Sequence, residues 1–460
     1  MILSDRDTIC AMATPAGGAI GIIRVSGPKA IEIVDKCFHG HRALKEAAAN
    51  TLHYGQLTDT QGHVLDDVVA SIWRAPHSYT GEDSVELSCH GSRYILQQVL
   101  HLLIDLGCRQ AKPGEYTERA YLNGKMDLSQ AEAIADLVAA TNRATHKMAL
   151  SQLRGNFSSE LARLRDQLLK MTSLLELELD FSDHEELEFA DRTELLELAE
   201  TIDKRIVSLA RSFETGNALK QGIAVAIVGK TNVGKSTLLN QLLHEDRAIV
   251  SNIHGTTRDV IEDTTEINDI TYRFIDTAGL RHTDDKVEQM GIERTYQKID
   301  QASIVLWLID RLPETTEEQR EAAAMIDRCK DKHLILVWNK GDLQAMPILP
   351  ENLASLPHLA ISAKQGQGIA ELEALIYKES AIPEISENDI IVTNARHYES
   401  LTHAHESISR VIDGIHASLS GDLLAEDLRL CLSDLADITG GQITPQETLN
   451  NIFKHFCIGK

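Results

Sequence analysis

IAVAIVGKTNVGKS, residues 223–236, decides the fold of the middle of this chain. Its first six residues are small or β-branched and apolar throughout, which is typical of a strand buried on both faces. The next eight match G-x4-G-K-S, and TLLNQLL after them has helical character. A strand, a glycine-rich loop and a helix in this order form a phosphate-binding loop. A chance lysine in a glycine-rich turn is the weaker alternative, because the strand and the helix are both present.

Two side chains of this stretch have predicted roles. Lys235 is expected to reach the β- and γ-phosphates of a nucleotide, and Ser236 to offer its hydroxyl to Mg²⁺. The loop glycines let backbone N–H groups turn towards the phosphates, and the helix N-terminus adds its partial positive charge.

Four further motifs follow in one order, and the pattern places each at a strand end: GTTRD (255–259), DTAG (276–279), NKGD (339–342) and SAK (362–364). The first offers a threonine to Mg²⁺, and the second places a carboxylate near the metal and a glycine beneath the γ-phosphate. Asp342 can accept hydrogen bonds from guanine N1–H and its exocyclic amine, a donor pair that adenine lacks. SAK supplies a backbone N–H near guanine O6. The five motifs predict a GTPase; an ATPase or kinase has no use for NKGD and SAK.

The sequence leaves the group that activates water open. A glutamine often follows DxxG in GTPases and orients the water, but Leu280 stands there. Composition does not choose among the nearby acids, which are Asp284, Asp285, Glu288 and Glu293. Two arginines lie nearby in the sequence, Arg258 and Arg281. They are either charge-stabilising groups or exposed loop residues.

The composition restricts the partners and the compartment. A net charge of −24 argues against sequence-independent adhesion to nucleic acid, so an RNA substrate needs a local patch or a more basic partner. The seven cysteines are scattered without a CxxC pair, which predicts reduced thiols rather than a disulfide framework or a zinc site. No apolar run spans a bilayer and no export signal is visible. We expect a cytoplasmic protein without a membrane segment.

The length of 460 residues predicts two or three domains. The expected fold is multidomain: an α+β N-terminal domain at 1–123, an α-helical domain in two parts at 124–217 and 381–460, and an inserted α/β P-loop G domain at 218–380 with a mainly parallel sheet. The two helical parts are expected to pack together.

Within the N-terminal part, we predict strands at 20–27, 64–73 and 84–88 and helices at 28–38 and 92–107. An apolar residue at every third or fourth position from Leu150 to Leu175 predicts one long helix. LLAEDLRLCLSDLADITGG, residues 423–441, predicts an amphipathic helix closed by glycines. Three charged residues of the N-terminal part are each expected to face solvent when taken alone: Arg24, Glu86 and Lys125.

Several stretches together resemble the MnmE (TrmE) family of bacterial and organellar tRNA modification GTPases. They are ATPAGGAIGIIRVSGP, TGEDSVELSCHG, LNGKMDLSQAEAI, GKTNVGKSTLLN, GTTRD, DTAGLR, TNARH and the terminal FCIGK. The match extends from Thr14 to Lys460. Departures include Lys230 and Thr231, where the family often has Asn or Arg followed by Pro, and Ser251, where Thr is more usual.

The resemblance implies specific residues for each ligand. A tetrahydrofolate derivative (5-formyl- or methylene-tetrahydrofolate) is assigned to Arg24, Glu86, Lys125 and Lys460. K⁺, which can replace an arginine finger, is assigned to Asn232, Ser251, Ile253 and Thr256, and Mg²⁺ to Ser236 and Thr257. Glu288 matches the water-activating glutamate, and Cys457 matches a cysteine whose role stays open. Arg281 is kept from the motif analysis as the candidate charge-stabilising arginine.

The motifs and the resemblance together give the expected GTP-binding residues. They are Asn232, Val233, Gly234, Lys235, Ser236, Thr237, Ser251, Asn252, Ile253, His254, Gly255, Thr256, Thr257, Asp276, Thr277, Ala278, Gly279, Asn339, Lys340, Asp342, Ser362, Ala363 and Lys364.

The resemblance also implies an activity and partners. These are a homodimeric, K⁺-stimulated GTPase and a flavin- and NADH-dependent partner, MnmG (GidA). Together they add a carboxymethylaminomethyl or aminomethyl group at C5 of the tRNA wobble uridine. The alternative is a regulatory RNA-binding GTPase of ribosome assembly, which should carry a basic RNA-binding module after its G domain. An isolated folate-binding protein with a vestigial G domain is disfavoured by the five intact motifs.

Overall fold

The computed structural model describes residues 7–180, 192–243, 263–275, 299–383, 386, 389–441, 449, 452–454, 456, 457 and 459. The chain divides into two compact units. The first comprises Met1–Ala139, Ala149–Ile206 and Glu399–Lys460, and the second comprises Ala140–Met148 and Val207–Tyr398.

The first unit begins with an α+β region. Its strands are β1 (Ile9–Met12), β2 (Ile20–Ser26), β3 (Phe38–Gly40), β4 (Thr51–Thr58), β5 (Val64–Trp73), β6 (Ser84–His90) and β7 (Arg109–Gln110). Its helices are α1 (Ala30–Asp35), α2 (Arg93–Asp105) and α3 (Glu115–Leu122), with a 3₁₀ turn at Leu44–Glu46. The described strands form one sheet in the order β3-β4-β5-β6-β2-β1-β7. Neighbouring strands are antiparallel except β1 and β7, which are parallel.

Strand β2 shows how this sheet divides its residues between two faces. Successive side chains of a strand point to opposite faces. Ile23 and Val25 are fully buried in a core that they share with Leu96 and Leu103 of α2. Arg24 lies between them in the sequence and therefore projects from the other face, where it is only partly exposed.

Two predictions for this region need correction. The helix predicted over 28–38 ends at Asp35, and Phe38 begins β3. The phenyl ring of Phe38 lies over Gly40 and Gly55, since a Cβ at Gly55 would lie 2.5 Å from its Cζ atom. A contact between two strands leaves no mark in the local sequence, so it could not be predicted from the pattern of 28–38. Strands β1, β3, β4 and β7 were not predicted either.

Four helices follow: α4 (Leu128–Ala139), α5 (Arg143–Leu153), α6 (Asn156–Asp180) and α7 (Arg192–Gln221). The prediction of one helix through Leu150 and Leu175 is wrong, because α5 ends at Leu153 and α6 begins at Asn156. Gly155 between them has a φ of 85°, a left-handed conformation that interrupts a helix and that glycine adopts readily. The apolar stripe itself is buried from α6 onward, at Phe157, Leu161, Leu164, Leu168, Met171 and Leu175.

The second unit contains the α/β fold. Its elements are β8 (Ile223–Val228), α8 (Lys235–Leu243), β9 (Asp263–Ile267), β10 (Ile270–Phe274), β11 (Ile304–Ile309), α9 (Thr316–Arg328), β12 (His333–Trp338), α10 (Glu351–Ala354), β13 (His358–Ala360) and α11 (Ile369–Glu379). The described strands pair in the order β13-β12-β11-β8-β10-β9, and every pairing is parallel except that of β9 with β10. The predicted mainly parallel sheet is confirmed.

All six residues of β8 are buried, and they serve two cores. Ile223, Val225 and Ile227 pack on one face of the sheet with residues of α8 and α11. Ala224, Ala226 and Val228 pack on the other face with residues of α9 and α10. A strand with helices on both faces has no side for solvent, which explains its uninterrupted apolar sequence.

Helices α12 (Ala395–His416) and α13 (Gly421–Thr439) lie further along the described part of the chain. Helix α13 packs against α4 and α6, so the helical segments before and after the inserted sheet meet, as predicted. The glycine-closed helix is also confirmed: Gly440 caps α13 with a φ of 74°, and Tyr121 Oη donates a hydrogen bond of 3.0 Å to its carbonyl oxygen. Beyond it, Leu449, Phe453 and Phe456 pack on Leu128 of α4.

Across the part of the chain that the structure describes, no helix combines the length and the apolar character needed to cross a bilayer.

Candidate functional site

The phosphate-binding loop connects β8 to α8 at the carboxyl edge of the parallel sheet. Its two motif glycines have φ values of 150° and 98°. A Cβ at Gly229 would lie 2.4 Å from the carbonyl oxygen of Leu308, and one at Gly234 would lie 2.3 Å from Nδ2 of Asn339. Both positions therefore require glycine, since the loop is pressed against β11 on one side and against Asn339 on the other.

Lys235 holds the loop in a closed curve. Its Nζ donates hydrogen bonds of 2.7 Å to the carbonyl oxygens of Gly229 and Lys230. The ammonium group therefore lies over the loop, next to the backbone N–H groups that the sequence assigns to phosphate. Ser236 follows at the start of α8, where a hydroxyl is a suitable Mg²⁺ ligand.

Asn339 joins three of the motifs. This residue is 3% exposed. Its Nδ2 donates a 2.7 Å hydrogen bond to the carbonyl oxygen of Val233, and its Oδ1 accepts a 3.0 Å hydrogen bond from the backbone N–H of Ala363. One amide side chain thus links the segments that follow β8, β12 and β13.

The acidic residue of NKGD lies beside the serine of SAK. Asp342 Oδ1 accepts a 2.7 Å hydrogen bond from the buried hydroxyl of Ser362, while Asp342 itself is exposed. The backbone N–H of Gly341 donates to the carbonyl of Ile361. These bonds fix the carboxylate at the edge of the sheet, where it can receive a base from solvent.

Lys340 is held by a residue that the sequence did not single out. The Nζ atom of Lys340 lies 2.6 Å from Oδ2 of Asp310, which directly follows β11. The backbone of Lys340 has a φ of 63°. Asp310 follows the apolar run of β11. Its position at the end of a strand is the one sequence feature that could have marked it as a site residue.

Part of the predicted site lies outside the described residues. This part comprises Ser251, Asn252, Ile253, His254, Gly255, Thr256, Thr257, Asp276, Thr277, Ala278, Gly279, Arg281, Glu288 and Lys460. Asn232, with a φ of 62° in the phosphate loop, is the described member of the predicted K⁺ set. No cluster of metal-ligating side chains occurs within the described ranges.

In the first unit, the structure pairs two of the predicted folate residues. Arg24 and Glu86 stand opposite each other in the β2–β6 register. Arg24 Nε donates to Glu86 Oε1 at 2.8 Å and its second terminal nitrogen lies 2.7 Å from the same oxygen, with both side chains 24% exposed. Taken alone, each was expected to face solvent; instead both are partly buried, because an antiparallel register places their opposite charges side by side.

Two tyrosines that sequence reasoning missed surround this pair. Arg24 Cζ lies 5.5 Å from the ring centroids of both Tyr79 and Tyr116, within the range of a cation–π interaction. Tyr116 Oη also donates to the carbonyl oxygen of Arg24 at 2.8 Å. Burial raises the pKa of the Tyr79 phenol, which shares a hydrogen bond with Thr117. Both phenols therefore stay neutral at physiological pH.

Lys125 contacts the loop that carries Tyr79. Its Nζ donates a 3.0 Å hydrogen bond to the carbonyl oxygen of Pro76, and the side chain is exposed. Lys125 faces solvent as expected, and its link to the Arg24–Glu86 pair runs through this loop.

The C-terminal segment reaches the same place. An Arg24 guanidinium nitrogen donates a 3.2 Å hydrogen bond to the carbonyl oxygen of Gly459. Gly459 has a φ of 98°, and a Cβ there would lie 2.3 Å from the carbonyl oxygen of Met12. Cys457, two residues earlier, is exposed, and its carbonyl oxygen accepts from the backbone N–H of Gly114 at 3.4 Å. The structure thereby brings the backbone of the C-terminal segment to Arg24, with Cys457 two residues before the contact.

Comparison with known proteins identifies the family of the chain. A family model described as the N-terminus of the GTP-binding protein TrmE matches residues 8–125, and one described as the MnmE helical domain matches residues 128–457. The chain belongs to the MnmE family of tRNA modification GTPases.

The relatives cover the full length of the chain. A protein of Phocaeicola vulgatus named tRNA modification GTPase MnmE is 52% identical over 100% of both chains. One of the same name from Bacteroides thetaiotaomicron is 53% identical over 99% of this chain and 100% of its own. Among solved structures, the G domain of the T. maritima FeoB iron transporter matches 34% of this chain and 98% of its own at 25% identity, with a TM-score of 0.26.

Proposed function

We propose that this MnmE-family chain is a K⁺-stimulated GTPase. With the flavoprotein partner MnmG (GidA), it adds a carboxymethylaminomethyl or aminomethyl group at C5 of the wobble uridine of certain tRNAs. A tetrahydrofolate derivative provides the one-carbon unit. The chain acts as a homodimer in the cytoplasm.

The junction at Asn339 is the observation that carries this proposal. It connects the phosphate loop, the base-recognition motif and SAK within one buried hydrogen-bonded group. Asp342 stands at the exposed end of the same arrangement, and a carboxylate there accepts from guanine N1–H and its amine. The phosphate loop would thus bind the triphosphate and Asp342 the base of the same nucleotide, because Asn339 fixes the distance between them.

The residues of the second unit act on the nucleotide by position and charge. Lys235 neutralises phosphate charge, and the Ser236 hydroxyl would hold Mg²⁺, which would supply further charge neutralisation at the phosphates. Asn232 is the described residue that would hold K⁺. Glu288 orients the attacking water in place of the glutamine that Leu280 replaces.

The Arg24–Glu86 pair fits a folate in its charges. A folate carries an anionic glutamate tail and a pterin edge with hydrogen-bond donors, so a cation and a carboxylate side by side can recognise both. Tyr79 adds a partly exposed ring beside them, and Cys457 adds an exposed thiol. Lys125 and Lys460 complete the proposed set.

The partner also accounts for the charge of this chain. A net charge of −24 disfavours tRNA binding by the chain alone. A more basic flavoprotein would supply the missing cationic surface, so we expect tRNA to bind the complex more tightly than it binds this chain.

Nucleotide turnover tests the GTPase part of the proposal. The purified chain should hydrolyse GTP and not ATP, and faster in KCl than in NaCl of the same ionic strength. Equal rates in both salts would remove K⁺ from the proposal. Glu288→Ala should bind GTP with unchanged affinity and lose hydrolysis; if hydrolysis persists, another acid activates the water.

Nucleoside analysis of tRNA tests the modification. Cells lacking this protein should lose the C5 substituent of the wobble uridine, and the wild-type gene should restore it. Intact wobble uridines together with a defect in ribosomal subunit profiles would favour the alternative function in ribosome assembly.

A further inference from the structure

The carboxylate of Glu318, which lies outside the five motifs, contacts the phosphate loop. Its Oε1 accepts a hydrogen bond of 2.5 Å from Nζ of Lys230 and one of 2.6 Å from the guanidinium of Arg311. Lys230 directly follows the first glycine of the loop, and Arg311 lies just after β11. One oxygen of one residue therefore links the loop to the end of the central strand.

The other carboxylate oxygen of Glu318 caps helix α9. Oε2 accepts from the backbone N–H groups of Glu314 and Thr315 at 3.0 and 3.3 Å. The hydroxyl of Thr315 in turn accepts from the backbone N–H of Glu318, which completes a capping box at the start of α9. The cap fixes the carboxylate in place, so that Oε1 is presented to Lys230 in one position.

The contacts of Glu318 favour its ionised form. The hydrogen bond from Lys230, followed by those from the two backbone N–H groups, lowers its pKa to about 2. Its side chain is only 13% exposed. The Lys230–Glu318 ion pair is therefore present throughout the neutral pH range.

A chain of contacts leads from this carboxylate to the phosphate-binding lysine. Glu318 holds the side chain of Lys230, and the carbonyl oxygen of Lys230 accepts a hydrogen bond of 2.7 Å from Nζ of Lys235. Lys230 is thus held at both its side chain and its backbone. Any displacement of Lys230 would move one of the two carbonyl groups that hold the Lys235 ammonium.

We propose that Glu318 is a positioning residue for nucleotide binding, which fixes the phosphate loop through Lys230 from outside the five motifs. It does not touch the nucleotide and acts only through the curvature of the loop and the place of Lys235. This inference rests on the proposed binding of GTP at this loop.

The test is a double-mutant cycle on nucleotide affinity. Glu318→Gln keeps an acceptor for the capping box, because glutamine serves at that position, but it removes the charge that holds Lys230. Lys230→Met removes the ammonium and keeps the length of the side chain. Dissociation constants for fluorescent GDP and GTP analogues are measured for the wild type, both single variants and the double variant.

Each single variant should raise both dissociation constants about twofold to fivefold, the range of a partly exposed ion pair. The double variant should be no weaker than Lys230→Met alone, because coupled residues are not additive. In steady-state turnover KM should rise while kcat at saturating GTP stays the same. Lys230→Arg, which preserves the ion pair, should retain the wild-type affinity.

Two controls separate this role from simpler ones. Glu317→Gln removes an equal charge from the same turn of α9, so it measures the long-range effect of charge on the phosphates. Thr315→Ala removes the hydroxyl from the cap of α9 but keeps the backbone N–H groups that hold Glu318 Oε2, so it should lower the melting temperature and change nucleotide affinity less than Glu318→Gln does.

The inference is overturned if Glu318→Gln binds nucleotide as Glu317→Gln does, or if the double variant shows the product of the single effects. A wild type that fails to bind GTP would instead count against the proposed function.

Discussion

The side-chain amide of Asn339 lies 2.7 Å from the carbonyl oxygen of Val233, which places the base-recognition motif directly against the phosphate loop. Asn339 directly follows β12 and Val233 lies in the loop after β8. These two strands are not adjacent in the sheet, because β11 lies between them. Asn339 therefore spans a strand, and it is buried where water cannot replace its hydrogen bonds.

Replacing Asn339 by Ala should cost both affinity and stability. The substitution leaves the carbonyl of Val233 and the N–H of Ala363 without the bonds they make to this amide, and a buried group left unsatisfied costs about 1–3 kcal/mol. We expect GDP affinity to fall by about tenfold or more and the melting temperature to fall by several degrees. Fluorescent-nucleotide titration and calorimetry measure both. Asn352→Ala, at an exposed position of α10, is the matched control and should change neither.

Replacing Asp342 by Asn should change the preferred base. An amide offers one acceptor and one donor in place of two acceptors, which suits xanthine, whose C2 carries a carbonyl instead of the amine of guanine. Affinity for GTP should fall by about a hundredfold or more, the loss expected when a site presents the wrong hydrogen-bonding group, and xanthosine triphosphate should become the better ligand. Competition titrations with GTP, xanthosine triphosphate and ATP check this. An unchanged preference for GTP would remove Asp342 from base recognition.

Replacing Gly459 by Ala should displace the C-terminal segment. Its φ of 98° disfavours any side chain, and the new Cβ would lie 2.3 Å from the carbonyl oxygen of Met12. We expect the Arg24–Gly459 hydrogen bond to break, the rate of Cys457 modification by a thiol reagent to change at least twofold, and folate affinity to fall. Gly62→Ala is the matched control, because a Cβ there meets nothing within 4 Å at a similar φ of 85°. Equal thiol reactivity in the two variants would contradict the predicted displacement.

His90 should make the stability of the first unit depend on pH. The hydrogen bond and charge of Asp66 raise the pKa of His90, and Asp66 Oδ1 lies 2.7 Å from Nδ1 of the imidazole. A raised pKa means that the folded state holds the proton more tightly than the unfolded state. The contribution is fully present below about pH 6.5, the pKa of an unperturbed histidine, and is lost as the pH rises through the folded pKa.

The melting temperature of His90→Gln relative to wild type measures this contribution. The variant should lie below wild type at pH 5.5 and approach it at pH 9. A difference that is independent of pH would show that the imidazole does not titrate with folding. His101→Gln, on the exposed side of α2, is the matched substitution against which the difference is compared.

The sequence predicted the parts of the fold that depend on local pattern. The apolar run of β8 and its glycine-rich loop gave the central strand and the loop that follows, because a strand buried on both faces leaves a direct compositional signal. Helix α13 ends at Gly440 as predicted, because a glycine at a helix end is also visible in the local sequence. The Arg24–Glu86 pair, in contrast, depends on the register of β2 and β6, and register is decided by the whole sheet.

Residues that act through other residues were the ones missed. Asp310 and Glu318 belong to no motif, and each acquires its role only because the fold brings a lysine of the site to it. Tyr79 and Tyr116 surround Arg24 from a loop and from α3. A sequence motif identifies residues that contact a ligand in many proteins. It does not identify the residues that hold those ligand-contacting residues in position.

The contact between Arg24 and Gly459 joins residues 435 positions apart. The Gly459 carbonyl that Arg24 contacts is therefore translated only after the whole of the inserted sheet. Because domains fold as they emerge from the ribosome, we expect the sheet of β1 to β7 to form before this contact can. A chain truncated before Gly459 would keep the residues of the nucleotide site and lack this partner of Arg24.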